Sequence, residues 1–155
     1  MSSALFICHG NVCRSPFAAA VFGQRAARRV PQKISVTSAG FIGPGRQPPD
    51  SALRAASRYG VESSAHRSSL IDAEAARRSD LVVVMDRRQA AAMHQRFGVP
   101  RRAIVILGDL DPVAAPRRTI RDPWGCDDTI FDASFARIIR CVDALVDTLA
   151  GQTRH

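Results

Sequence analysis

An apolar run, Ala4-Leu5-Phe6-Ile7, passes directly into Cys8-His9-Gly10-Asn11-Val12-Cys13-Arg14-Ser15-Pro16, and few folds accommodate such a passage. The run has the length and composition of a buried strand. Pro16 suits the first position of a helix, with Ser15 as its cap. The expectation is strand, tight loop, helix. A loop closing onto a helix N-terminus aims several backbone N–H groups at one point, where the helix dipole adds partial positive charge. An anion belongs at that point. Gly10 permits close backbone approach and Asn11 tolerates a left-handed conformation, so both favour a curled loop. The planar guanidinium of Arg14 can bind two oxygens of a phosphate-like group at once.

Cys8 separates this stretch from a simple phosphate cradle. It stands where strand meets loop, at the expected floor of the anion site. Converging N–H groups, a helix N-terminus and Arg14 all favour thiolate over thiol, and the thiolate is the attacking form. An isolated cysteine at a strand end is usually a small buried side chain; here Gly10, Asn11, Arg14, Ser15 and Pro16 all accompany it. A nucleotide-binding loop is excluded, because no Gly-Lys-Ser/Thr follows and the only lysine is Lys33.

Beyond the loop, Phe17, Val21 and Phe22 share a face of a helix expected over residues 16–29. Residues 34–39 alternate as a second strand ended by Gly40. A Gly- and Pro-rich loop over 41–49 follows and belongs beside the Cys8 loop, at the carboxyl ends of the strands. Asp50 caps a helix through residue 59, with Ala52, Leu53, Ala55 and Ala56 facing the core and Gly60 stopping it. A short helix over 72–79 precedes the continuous apolar run of 80–85, which suits a parallel strand buried on both faces. A helix over 87–97 and a strand over 103–107 complete the alternation. Residues 109–128 carry no periodicity. Phe131, Phe135, Ile138, Ile139, Val142, Leu145, Val146 and Leu149 then form one helical stripe. The expected fold is a single α/β domain over 1–155: four parallel strands, helices on both faces, and the phosphate loop between the first strand and the first helix.

The net charge of +8 raises nucleic acid as a partner. The arginines are scattered doublets with a single Tyr and a single Trp, rather than a basic stripe with interleaved aromatics, so no nucleic-acid partner is expected. No leader and no window long enough for a membrane span is seen, so no membrane insertion and a cytoplasmic location are expected. The four cysteines then read as thiols. Neither His66 nor His94 has a partner at metal-ligand spacing, so no metal or other cofactor is expected.

Cys-x5-Arg-Ser-Pro with Gly-Asn inside it, near the start of a chain of this length, resembles the low-molecular-weight protein tyrosine phosphatase family, and the likeness runs from about residue 5 to 149. The resemblance implies hydrolysis of protein phosphotyrosine, with Cys8 as nucleophile and Arg14 as phosphate clamp. His9, Gly10, Asn11, Val12, Cys13 and Ser15 complete the phosphate site, and Ser15 stabilises the sulfur as leaving group. The family keeps an Asp-Pro-Tyr acid loop before its last helix; Asp122-Pro123-Trp124 stands there, making Asp122 the general acid and Trp124 a face for a substrate ring. Asp111-Pro112, too close after the fourth strand, matches a non-catalytic pair of the family. The loop after the second strand supplies a wall of the substrate slot, with Phe41 and Ile42 as candidates. Ser38 and His66 match a network that supports the loop. Many members carry Trp or Tyr a few residues before the Gly-Arg pair, whereas this chain, like exopolysaccharide-associated bacterial members, does not. A tyrosine autokinase of polysaccharide export is therefore the implied partner; the oligomeric state is left open. Cys13 adds a reversible disulfide with Cys8 as a further expectation.

Three alternatives use the same residues differently. Arsenate reductases of this fold need two more cysteines between the third strand and its helix; here Cys126 and Cys141 come late. Arginine-phosphatase relatives carry Thr where this chain has Val12. A non-catalytic phospho-binding module would bind without turnover.

Overall fold

Four parallel strands and five helices alternate along the chain in a computed structural model that describes residues 1–114 and 117–152. The strands are β1 (Ser3–Cys8), β2 (Ser35–Gly40), β3 (Leu81–Val84) and β4 (Ile104–Ile106), and the helices α1 (Arg14–Arg29), α2 (Asp50–Arg58), α3 (Ala73–Arg78), α4 (Arg87–Gln95) and α5 (Asp128–Gln152). Of the irregular stretch expected over 109–128, residues 115 and 116 lie outside the described residues, as do 153–155 of the expected domain.

The sheet order is β2-β1-β3-β4, so the strand carrying Cys8 is central. It pairs in parallel with β2 from Ser3↔Ser35 to Cys8↔Gly40, and with β3 from Ala4↔Leu81 to Phe6↔Val83. Parallel strands align their carboxyl ends, which gathers the loops after β1, β2 and β4 at one edge. The period of two along β1 divides the core. Ala4, Phe6 and Cys8 turn toward α1, α2 and α5, whereas Leu5 and Ile7 turn toward α3 and α4. Cys8 thereby faces the helix whose N-terminus closes the loop.

α5 buries the expected stripe, with Ile139 and Leu149 at its half-covered margins. Phe135 stacks on Phe17 of α1, centroids 4.1 Å apart and rings 9° from parallel, which holds α1 against α5. Two pairs of Asp residues on α5 spaced four apart meet pairs of Arg at the same spacing: Asp128 and Asp132 take Arg54 and Arg58 of α2, and Asp143 and Asp147 take Arg25 and Arg29 of α1. Part of the positive charge is thus spent on α5.

Local expectations need correction at four points. α1 begins at Arg14, with Cys13 at the cap position and no side-chain capping bond. Ser15 does not cap, because its hydroxyl is engaged inside the loop, and Pro16 is the third helical residue, where an N–H would have had no intrahelical partner in any case. Pro49, not Asp50, precedes α2, and Leu53 is only half-buried.

Candidate active site

The loop between β1 and α1 is wound around Asn11. This residue adopts the left-handed conformation expected of it, φ 54°, and is fully buried. Its Oδ1 accepts from Ser69 N–H (2.9 Å), and its Nδ2 donates to Ser15 Oγ and Ser38 Oγ, each at 2.9 Å. Its carbonyl accepts from His66 Nε2 at 2.7 Å, which fixes the tautomer of that ring. Ser38 and His66 therefore touch the loop through one residue. Gly40 lets the end of β2 approach: a Cβ there would lie 2.8 Å from Asn11 N.

The Asn11 amide also orients the hydroxyl of Ser15. Ser15 Oγ accepts from Asn11 and lies 3.0 Å from Cys8 Sγ, its remaining partner, to which its hydroxyl can donate when the sulfur is ionised. Ser15 is fully buried and Cys8 nearly so. Arg14, 3% exposed, donates through Nη1 to Ile120 O (2.8 Å) and places Nη2 3.5 Å from Asp122 Oδ2. Its Nε is the one buried side-chain nitrogen or oxygen among the described residues that has no partner. A buried donor in that state marks where an acceptor anion is accommodated.

A cavity of about 250 Å³ opens above the sulfur, lined by Cys8, His9, Gly10, Val12, Cys13, Ile42, Arg46, Asp122 and Trp124. Asp122 is 43% exposed and its Oδ1 accepts from Trp124 N–H at 3.2 Å, so the carboxylate stands on the rim next to the indole. Burial, then the charges of Asp122 and Cys8, push the Cys13 thiol far up, so it stays protonated at neutral pH. Val12, 4% exposed, gives the floor an apolar side.

Phe41 does not line this cavity. In the bend that follows β2, Ile42 faces the cavity, while Phe41 packs against Phe97 and under the Arg96 guanidinium on the α3/α4 face. Asp111 lies elsewhere, only 3% exposed and held by Arg137 and Arg140 of α5. Arg46 was not singled out by sequence reasoning, yet it stands on the cavity wall. The available signal was slight: a lone Arg directly after the Gly43-Pro44-Gly45 turn. Cys126 lies in the acid loop and Cys141 on α5, neither between β3 and α4; burial and the nearby Asp111 charge push the Cys141 thiol up to about 11. Among the described residues no group of three or more His, Cys, Asp or Glu could hold a metal ion, and no helix is long and apolar enough to cross a membrane.

Comparison with known proteins agrees with this geometry. The probable low molecular weight protein-tyrosine-phosphatase EpsP of Ralstonia nicotianae is 31% identical over 147 residues, covering 94% of each chain. The low molecular weight protein-tyrosine-phosphatase Wzb of Salmonella typhi is 30% identical over 139 residues, covering 88% of this chain and 86% of Wzb. Among solved structures, the YwlE arginine phosphatase of Geobacillus stearothermophilus superposes with a TM-score of 0.83 at 25% identity, covering 100% of this chain and 97% of its own. The family pattern described as low molecular weight phosphotyrosine protein phosphatase matches residues 3–155, and with a cysteine, an arginine and an aspartate meeting at one loop-lined cavity, the chain belongs to that family of phosphatases.

Proposed function

We propose that this phosphatase hydrolyses phosphotyrosine in proteins by two in-line displacements through a phosphocysteine. The observation that carries the reading is that Cys8 and Asp122 line one cavity, with Arg14, whose Nε is without a partner, 3.5 Å from Asp122 beside it. In the first step the Cys8 sulfur attacks phosphorus while the P–O bond to the tyrosine breaks. Arg14 and the loop N–H groups hold the equatorial oxygens, and the Asp122 carboxyl gives its proton to the departing phenolate. In the second step Asp122, now a carboxylate, takes a proton from water as the water oxygen attacks phosphorus. The S–P bond breaks, and the sulfur leaves as a thiolate that accepts the Ser15 hydrogen bond.

The apolar Val12 floor, Ile42 and the Trp124 face support an aryl group rather than a guanidinium as the leaving side. The likeness to exopolysaccharide-associated members supports a tyrosine autokinase of polysaccharide export as the protein substrate.

The test compares wild type, Cys8→Ser and Asp122→Ala on an activated aryl phosphate, a phosphotyrosine peptide and phosphoarginine. Cys8→Ser should be inactive and still bind inorganic phosphate. Asp122→Ala should lose about 100-fold or more on the peptide, as expected for a lost general acid, and less on the activated ester. Equal rates in all three proteins would remove the mechanism, and a wild-type preference for phosphoarginine would reassign the substrate.

A further inference from the structure

The wall of the cavity opposite the phosphate loop depends on a half-exposed arginine with an unusual set of neighbours. Arg46 Nε donates to Gly43 O at 3.1 Å, in its own loop, and Nη2 donates to Gly10 O at 3.2 Å, in the phosphate loop. The same guanidinium lies 5.6 Å from the ring centroid of Trp124, in the acid loop. One side chain therefore bridges all three loops that frame the cavity. The backbone of Arg46 is fixed as well: its N–H donates to Ser68 Oγ at 2.8 Å and its carbonyl accepts from Ser68 N–H at 2.9 Å.

Two glycines are shaped around this guanidinium. A Cβ on Gly10 would stand 2.6 Å from Arg46 Nη2, and one on Gly43, at φ 61°, would run into Arg46 Nε. Side chains at either position would expel the arginine. Trp124 needs such a hold, for it is 55% exposed. An indole that free would otherwise sample several rotamers and present no defined face. A planar cation over the ring restricts it without filling the slot.

We propose that Arg46 is a specificity-determining positioning residue, which clasps Trp124 to the phosphate and β2–α2 loops so that the indole forms a fixed outer wall selecting flat aromatic phosphomonoesters. The substrate half of this inference rests on the phosphatase reading above; the clasp itself does not.

Trp124 is the only tryptophan, so its fluorescence reports the clasp without any turnover. In Arg46→Ala, acrylamide quenching of Trp124 should rise about two-fold or more, with Arg46→Lys intermediate because it keeps the charge but loses the planar fork. The kinetic readout is the ratio of KM for a phosphotyrosine peptide to Ki for inorganic phosphate, which should rise about five-fold, the order set by an exposed cation–aromatic contact. In a Trp124→Ala background, Arg46→Ala should leave that ratio unchanged. Arg46→Gln, which keeps a donor toward the loop carbonyls, serves as the second variant should Arg46→Ala melt early. Unchanged quenching overturns the clasp. KM and Ki rising together would reduce Arg46 to a prop for the phosphate loop and overturn the selectivity. Failure of wild type to turn over any phosphomonoester would sink the phosphatase reading while the quenching result still decides the clasp.

Discussion

Replacing Asn11 by alanine tests the idea that one buried side chain holds the loop in shape. The substitution removes three side-chain hydrogen bonds, to Ser15, Ser38 and Ser69, each contributing about 1 kcal/mol net, or about 3 kcal/mol together. It also places a Cβ without a polar handle on backbone at φ 54°, which adds about 1 kcal/mol. The total of about 4 kcal/mol predicts a fall in Tm of about 8–16 °C for a chain of this size. Asn11→Gly loses the same bonds but carries no left-handed penalty. After its larger unfolded-state entropy is counted, at about 0.5 kcal/mol, it should still exceed Asn11→Ala in stability by about 0.5 kcal/mol. That order is the reverse of the one found at ordinary positions. Urea unfolding followed by circular dichroism, with equal slopes for the three proteins, measures both differences. If alanine is as stable as glycine at position 11, the backbone there is not left-handed in solution and the derivation fails.

Two other outcomes follow from the same coordinates. In Gly40→Ala the new Cβ would meet Asn11 N at 2.8 Å and Asn11 Cβ at 2.9 Å; the backbone cannot yield cheaply, so a destabilisation of about 1–3 kcal/mol should accompany a larger proportional loss of kcat/KM, read by melting and by aryl phosphate hydrolysis. Asp111 is pushed up by its burial, but hydrogen bonds from Arg140, Val113 N–H and Arg137 outweigh this and leave its carboxyl below the usual range. A depressed carboxylate stabilises fully above its unfolded pKa of about 3.9 and loses that contribution as pH falls through the folded value. Wild type should thus exceed Asp111→Asn in stability by a constant margin near neutrality, about 1–2 kcal/mol for hydrogen bonds between a carboxylate and partly exposed arginines, and the margin should shrink below about pH 4 in pH-dependent urea melts.

The sheet and its helices were legible because their signals are periodic. The 80–85 apolar run and the stripe from Phe131 to Leu149 each carry many residues that agree with one another. The strand order was not readable, since nothing local says which neighbours β1 will choose. Ser15 misled for a specific reason: Ser before Pro is a cap signal, but a hydroxyl bonds to whatever is nearest, and the curled loop brings Cys8 and Asn11 nearer than any free N–H. Phe41 and Ile42 could not be told apart, since their faces are set by the bend that follows β2, which has no period to read. Arg46 escaped because its partners are two carbonyls and a ring from three separate loops, a set with no sequence spacing. The ladder on α5 could have been found: four aspartates in two pairs spaced by four, with arginine pairs of equal spacing in two other helices.

The 3.5 Å approach of Arg14 to Asp122 bears on the middle of the proposed cycle rather than its ends. There the acid is ionised only between the two displacements, after the phenol has taken its proton and before water gives one back. The neighbouring guanidinium lowers the energy of that interval, because it holds the newly formed carboxylate at the mouth of the site, where the incoming water must arrive.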